Sequence, residues 1–440
     1  MKFKKFGKAL LMSALSAGVV LGITSCVQSY SVGYLYVTGT TTAQSTGNGI
    51  ISGFKIDHNT GKLTPIAGLP ISSGGANPGR AVLLTGGRFI YVLNRGVNSQ
   101  GGSDCTTADP CKNSNITQFS IGGNGVLAPQ QTFYTQGINP FRLISDSSGN
   151  YLYVLDHDAP SSAACALALG SGVTACGDVT AFQINATTGR LQLVVNAQVT
   201  SSSGAALPYF PVPANPIDFV LASSYILTLS GTPGTGDSVF PYTYNANNGQ
   251  LTLSQNSSQP LNIAQGTAIV NSAGYVYVLD NEGTLVSGSG ASSQILPFSV
   301  GSNGALQAQT GGAVPDTVTQ SNPIYLIAEA KGKWVYVANQ GDNTNTTNTQ
   351  SGIAGYVIDP STHQLSEISG SPFGTGAGPQ CMLEDPSSQF IYTANFNDST
   401  ITGRRIDQNS GVLNNLPGSA NHSYPLNGPA AWCIVTGRTS

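Results

Sequence analysis

Two arginines stand at matching places in this sequence. Arg80 follows Asn77-Pro78-Gly79 and Arg142 follows Asn139-Pro140-Phe141, each two residues after a proline that opens an apolar run. Such a pair could grip a carboxylate or phosphate through bidentate forks, or tie neighbouring elements together by salt bridges. Asp218 holds the same place after Pro216, so an ion pair among these positions is expected. Asp156, His157 and Asp158 form a second group. An imidazole flanked by carboxylates suits a general base or a metal ligand, and equally an Asx turn with an exposed ring. Asp280 and Glu282 make a smaller acidic group that reads as a turn.

Other chemistries find no support. There is no Gly-x-Ser-x-Gly elbow, and no phosphate loop or dinucleotide fingerprint. His58 and His363 fall in tight turns and read as structural, whereas His422 lies in a linker on the upper face and stays a minor candidate. No C-x2-C pair or histidine cluster suggests zinc, so neither a metal nor a cofactor is expected. Setting Cys26 aside, six cysteines remain. Cys105 with Cys111, and Cys165 with Cys176, sit within two polar loops and read as local disulfides, leaving Cys381 and Cys433 as a third pair.

These residues must be carried by a repeat. A strand-like pattern of apolar residue, Tyr, Val, any residue, then Asn or Asp recurs at Ile90–Asn94, Leu152–Asp156, Val276–Asp280, Val335–Asn339 and Ile391–Asn395. Tyr34–Val37 is a further copy and Tyr225–Leu229 a degenerate one, which makes seven. Before most copies runs a strand opened by proline, a residue tolerated where no ladder donor is lost. After each copy come an alternating strand and a Gly-x-Leu turn, as at Gly61-Lys62-Leu63 and Gly411-Val412-Leu413, with His363-Gln364-Leu365 as the odd copy. Four strands repeated seven times predict an all-β fold, a seven-bladed β-propeller of four-stranded blades.

The chain ends support closure. The first copy has no proline strand before it, and Gly428–Val435 is a proline strand with no partner after it. The C-terminal strand should therefore join the N-terminal blade, removing exposed sheet edges and bringing Cys381 and Cys433 onto neighbouring inner strands. Antiparallel order then gathers the second-to-third loops, roughly 94–115, 156–178, 230–238, 280–294 and 339–352, on one face above the channel. Long loops on a rigid scaffold are where function concentrates.

The N-terminus reads as a secretory leader. Lys2, Lys4, Lys5 and Lys8 precede an apolar stretch from Ala9 to Ile23, and Ile23-Thr24-Ser25-Cys26 resembles the bacterial lipobox. The expected organisation is a signal peptide over 1–25, a lipidated tether over 26–33 and one propeller over 34–440. Cys26 would carry lipid and hold the protein to a membrane of the bacterial cell envelope, outer membrane or periplasm. Without residues 1–25, 13 Lys and Arg face 20 Asp and Glu, a net charge near −7. That balance, with no basic patch, excludes nucleic acid as an expected partner, and a monomer is expected.

The Tyr-Val-x-Asn/Asp strands, the Asp57–Leu63 turn and the proline-opened strands resemble the lactonase-type seven-bladed propellers, including 6-phosphogluconolactonase-like proteins, and the related tyrosine-valine-threonine-asparagine surface repeats. Lactonases of this kind carry His-Pro-Arg-His at a strand opening. Here Asn139-Pro140-Phe141-Arg142 and Asn77-Pro78-Gly79-Arg80 keep the arginine and lack both histidines. The resemblance implies opening of a lactone ring in a sugar or organic acid. Arg142 and Arg80 would bind the carboxylate or oxyanion, His157 with Asp156 would move the proton, and Asp218, Asp158 and Glu282 would complete the ligand site. The alternative is a non-catalytic surface propeller that binds a glycan or protein through its upper loops.

Overall fold

The computed structural model describes residues 30–41, 48–201, 203–231, 236–254, 261–272, 274–281, 293–309, 311–316, 322–341, 351–417 and 423–437. The leader, Cys26, Glu282, His422 and the stretch 342–350 lie outside them. Seven antiparallel sheets of four main strands stand side by side in chain order. Blade two is representative: Pro78–Leu83 innermost, then Phe89–Asn94, Asn115–Ile121 and Leu127–Phe133 outermost. The ring closes as the chain ends require. The C-terminal strand Ala430–Gly437 pairs antiparallel with Ser31–Thr40, with Leu35 opposite Val435 and Val37 opposite Cys433. Cys433 is bonded to Cys381 on the inner strand of blade seven, so a covalent link spans the seam. Cys105–Cys111 and Cys165–Cys176 are also bonded, each within one upper loop.

Three features depart from the expected outline. The first strand begins at Ser31, not Tyr34, because Ser31 already pairs with Asp57; the tether over 26–33 thus loses its last residues to blade one. Blades one, three, five and seven each add a short fifth strand against the third, such as Phe210–Val212 and Ser423–Pro425. One helix, Ser162–Leu169, interrupts the all-β pattern inside the disulfide-closed loop of blade three, where Ser161 caps it by accepting from Ala164 N at 3.3 Å.

One contact repeats around the ring and explains two motifs together. The buried motif tyrosine of one blade donates its hydroxyl to the carbonyl of the Gly-x-Leu glycine on the next. Tyr36 reaches Gly125 at 2.7 Å, Tyr91 reaches Gly189 at 2.6 Å and Tyr336 reaches Gly411 at 2.7 Å. Tyr392 reaches Gly61 at 2.6 Å and so carries the series across the seam. The aromatic residue two places earlier lies flat against the same glycine. A Cβ at Gly61 would meet the Phe390 ring at 2.5 Å, and one at Gly411 would meet Trp334 at 2.6 Å. Both glycines also have positive φ, which a side chain disfavours. His363, the odd copy, takes the same left-handed conformation (φ 57°) and packs its ring on Tyr275, centroids 4.6 Å apart.

The motif's closing Asn or Asp is equally structural. Asn94, Asp156, Asp280, Asn339 and Asn395 are all fully buried. Asn94 Nδ2 donates to Asn115 Oδ1 at 2.9 Å on the third strand and to the Ser73 carbonyl at 3.0 Å. Asp280 accepts from the amides of Ala264 and Gln265 in the preceding linker. It is an anchor for the chain between blades and not part of an exposed acidic turn.

Removing one inter-blade hydroxyl should cost about 1 kcal/mol, the usual net worth of such a bond. Tyr336→Phe is therefore expected to lower unfolding free energy by that amount in urea titration. Gly411→Ala should cost clearly more, since it loses the left-handed turn and collides with Trp334.

Candidate functional site

The inner strands all begin in the same irregular way. The residue before the proline is left-handed in Asn77, Asn139, Asn215 and Asn322, with φ from 47° to 59°, a conformation asparagine tolerates well. Directly after the proline the ladder slips by one residue. In blade three Pro140 faces Asp156 and Arg142 faces Leu155, which leaves Phe141 unpaired. The same slip occurs at Ile217, Ile324 and Gln380, and at Thr267 and Ala431, where Gly266 and Ala430 hold the proline's place. A bulge of this kind re-aims a side chain. Here Phe141, Thr267, Ile324, Gln380 and Ala431 all line a cavity of about 380 Å³ at the upper mouth of the channel.

Three guanidiniums enter that cavity: Arg80, Arg142 and Arg95. One buried carboxylate answers them. Arg80 Nη2 donates to Asp218 Oδ2 at 2.9 Å, and Arg142 Nε lies 3.4 Å from Asp218 Oδ1. Asp218 is itself held by the amides of Phe219 (2.9 Å) and Ile269 (3.3 Å). Arg80 also lies over the Trp432 ring at 4.8 Å, and Trp432 meets Tyr325 edge-on at 5.0 Å. Arg142 keeps 31% of its side chain exposed, toward the cavity. Burial and the neighbouring Arg80 push its pKa down to about 10, against the pull of Asp218, so it stays charged at neutral pH. Burial lowers Arg95 too, and Asp104 on the loop above opposes that at longer range. The Nε of Arg95 has no hydrogen-bond partner among the described residues. Three positive groups over one negative group leave the cavity cationic, with Trp432, Phe141 and Phe396 as aromatic walls.

The second candidate group divides. The Asp156 side chain points into the sheet, where it accepts from Thr180 Oγ1 at 3.0 Å and meets Asp178. It occupies the motif's Asn/Asp position, so pairing with His157 for proton transfer does not describe it. His157 and Asp158 continue the strand and face the upper surface, with Nδ1 3.1 Å from Asp158 Oδ1. The imidazole stands beside Phe141, ring centroids 6.2 Å apart, and does not line the cavity. Asp158 further accepts from Thr107 Oγ1 at 2.9 Å and Asn139 Nδ2 at 3.0 Å, which ties the loops of blades two and three together. Arg95 and Trp432 were not legible as site residues. Arg95 directly follows a motif Asn, and the bulge that aims inner-strand residues at the channel leaves no mark in the sequence.

The sequence matches the profile of the family described as Lactonase, 7-bladed beta-propeller, over residues 47–208 and 291–428. No curated protein matches it. Among solved structures, the chain resembles a putative 6-phosphogluconolactonase from Bacteroides fragilis, at 15% identity and TM-score 0.63 over 92% of this chain and 98% of that one. A periplasmic gluconolactonase from Pseudomonas aeruginosa is similar at 17% identity and TM-score 0.61, over 92% and 99%. A putative 6-phosphogluconolactonase from Bacteroides uniformis gives 14% and 0.62, over 92% and 100%. At these identities the likeness shows the fold.

Asp218 is the keystone of the site. Asp218→Asn leaves two guanidiniums without their counter-charge, and a loss of about 3 kcal/mol is expected, the range for breaking a buried ion pair. Urea denaturation at neutral pH measures it. Arg95→Ala, which breaks no ion pair within 4 Å among the described residues, should cost far less in the same assay.

Proposed function

The chain belongs to the lactonase family of seven-bladed β-propellers, and on that premise we propose that it opens the lactone ring of a sugar or organic acid at the upper channel mouth. The observation that carries this reading is the cationic cavity, with Arg142 and Arg80 converging on Asp218 and turned toward open space. In lactone hydrolysis water adds to the ring carbonyl, a tetrahedral oxyanion forms, and the ring C–O bond breaks to give a hydroxy acid. Fixed guanidiniums stabilise both the oxyanion and the product carboxylate. His157, held by Asp158 and not by Asp156, stands beside Phe141 outside the cavity lining, so it would take the proton from the attacking water through one intervening water.

A second reading has its own support. Among the described residues, no imidazole and no carboxylate lines the cavity. Phe396 at the rim is 41% exposed, a surface on which a sugar ring can stack. A propeller that captures a glycan or an acidic ligand without turnover would need no base.

Export belongs to the same proposal. Three disulfides suit an oxidising compartment, and the lipobox-like Cys26 would anchor the chain to the cell envelope. No described helix is long and apolar enough to cross a membrane. The partners proposed are thus a small lactone or glycan and, through lipid, a membrane.

A panel of sugar and organic-acid lactones, assayed by acid release, separates the readings. Turnover by the wild type that falls about 100-fold or more in Arg142→Ala, at unchanged melting temperature, supports the enzyme. Turnover indifferent to Arg142→Ala removes this site. No turnover on any lactone, with calorimetric binding of the open acids that Arg142→Ala abolishes, selects the capture reading.

A further inference from the structure

We propose that Asp156 and Asp178 share one proton, and that this proton fastens the disulfide-closed loop of blade three, beside the channel mouth, to its sheet.

The argument begins with the position. Asp156 and Asp178 are direct partners on the second and third strands of blade three, at the last step before the loop opens. The same step in other blades is closed by a side-chain hydrogen bond. Asn94 donates to Asn115 at 2.9 Å in blade two, Gln294 donates to Asp280 at 2.8 Å in blade five, and Asn395 donates to Thr400 at 2.9 Å in blade seven. Each of those pairs holds a donor. Two ionised carboxylates hold none. Asp156 and Asp178 can make the same bond only if one of them keeps a hydrogen.

Their surroundings demand it. Both side chains are fully buried, and both oxygens of Asp178 and Oδ1 of Asp156 have no partner at hydrogen-bonding geometry; the Thr180 hydroxyl, which also favours the charged form of Asp178, has one proton and gives it to Asp156. Neither has a cation within 4 Å among the described residues. Thr180 on the third strand and Thr135 and Gly137 on the incoming linker donate to Asp156. The charge that reaches Asp178 from its own blade is the Asp158 carboxylate, and Tyr209 on the crossing segment faces it with a phenol that burial also keeps neutral. Gly137 closes the space above, since a Cβ there would lie 2.3 Å from Asp178 Oδ2. Burial holds both carboxyls above the ordinary carboxylate range; the Asp156 charge pushes Asp178 up further, while a hydrogen bond with Asp178 draws Asp156 part of the way back, as a proton held on Asp178 requires.

The consequence reaches the loop. The strands continue from this pair into Ala159, whose amide meets the Cys176 carbonyl at 2.8 Å, and then into the helix Ser162–Leu169 held by Cys165–Cys176. On the other side, Asp156 is followed by His157 and Asp158 at the rim. The folded protein keeps a proton that the unfolded chain releases above the ordinary Asp range. Stability contributed by the pair is therefore greatest in acid and is lost as pH rises through the pair's own titration.

The test compares wild type with Asp178→Asn, whose amide supplies the donor permanently, in thermal melts and hydrogen exchange from pH 5 to 9. The wild type should lose about 3 °C more than the variant across that range, with exchange over 159–176 rising only in the wild type. Infrared spectra of the wild type near pH 6 should show a protonated-carboxyl band that the variant lacks. Equal pH dependence in the two proteins, or no such band in the wild type, overturns the proposal. Should Asp178→Asn fail to fold, the band and its titration decide in a Glu384→Gln background, because burial also pushes the Glu384 carboxyl up to about 7.

Discussion

The hydroxyl of a buried tyrosine meeting a glycine carbonyl on the next blade is the contact on which the rest of this propeller depends. Sheets packed face to face can slide, because apolar packing is not directional. A hydrogen bond from a fully buried phenol is directional, and leaving it unmade in the interior is costly. Where glycine lies beneath, as at Gly61 and Gly411, the neighbouring aromatic ring already fills the space a side chain would need; His363 is the exception and stacks on Tyr275 instead. Tyrosine, ring and glycine thus fix the height of one blade against the next. The last such bond, Tyr392 to Gly61, joins residues 331 apart in sequence. With the seam strand and Cys381–Cys433 it leaves the ring no loose end.

That rigidity makes the channel mouth a place where charge can be held out of water. Asp218 is fully buried yet keeps four partners, two guanidiniums and two backbone amides. A charge cluster of this size would be expensive to assemble on mobile loops. Built on three inner strands from blades two, three and four, it is positioned before any ligand arrives. The loops above add closure, not placement: Asp158 joins two of them to Asn139 at the strand opening.

Much of this was legible beforehand because the fold repeats. Seven copies of Tyr-Val-x-Asn/Asp and of Gly-x-Leu gave blade number, strand order and the closing strand, and the spacing of Arg80, Arg142 and Asp218 after proline put them on one level. What escaped has physical reasons. Asp156 and His157 are neighbours in sequence, but a strand turns successive side chains to opposite faces, so adjacency does not make them partners. The repeat position of Asp156 was the better guide to its role. Arg95 enters from a second strand, and its reach over the channel depends on a loop whose path no local pattern encodes. The helix at Ser162–Leu169 is held by Cys165–Cys176 and by the segment it covers, not by an amphipathic face.

The unpaired residue behind each strand-opening proline has a consequence for how such a protein can change. Its backbone sits outside the ladder, and at five of the seven blades the side chain at this step faces the cavity, with Gly266 and Ala430 holding the proline's place before Thr267 and Ala431. Lining and scaffold are thereby largely uncoupled: Phe141, Ile324, Gln380 and Ala431 stand outside the ladder, while Thr267 also ties its blade to the next by donating to the Leu279 and Pro323 carbonyls. The ring works as a frame with interchangeable teeth, in which a new ligand preference needs new side chains and no new architecture.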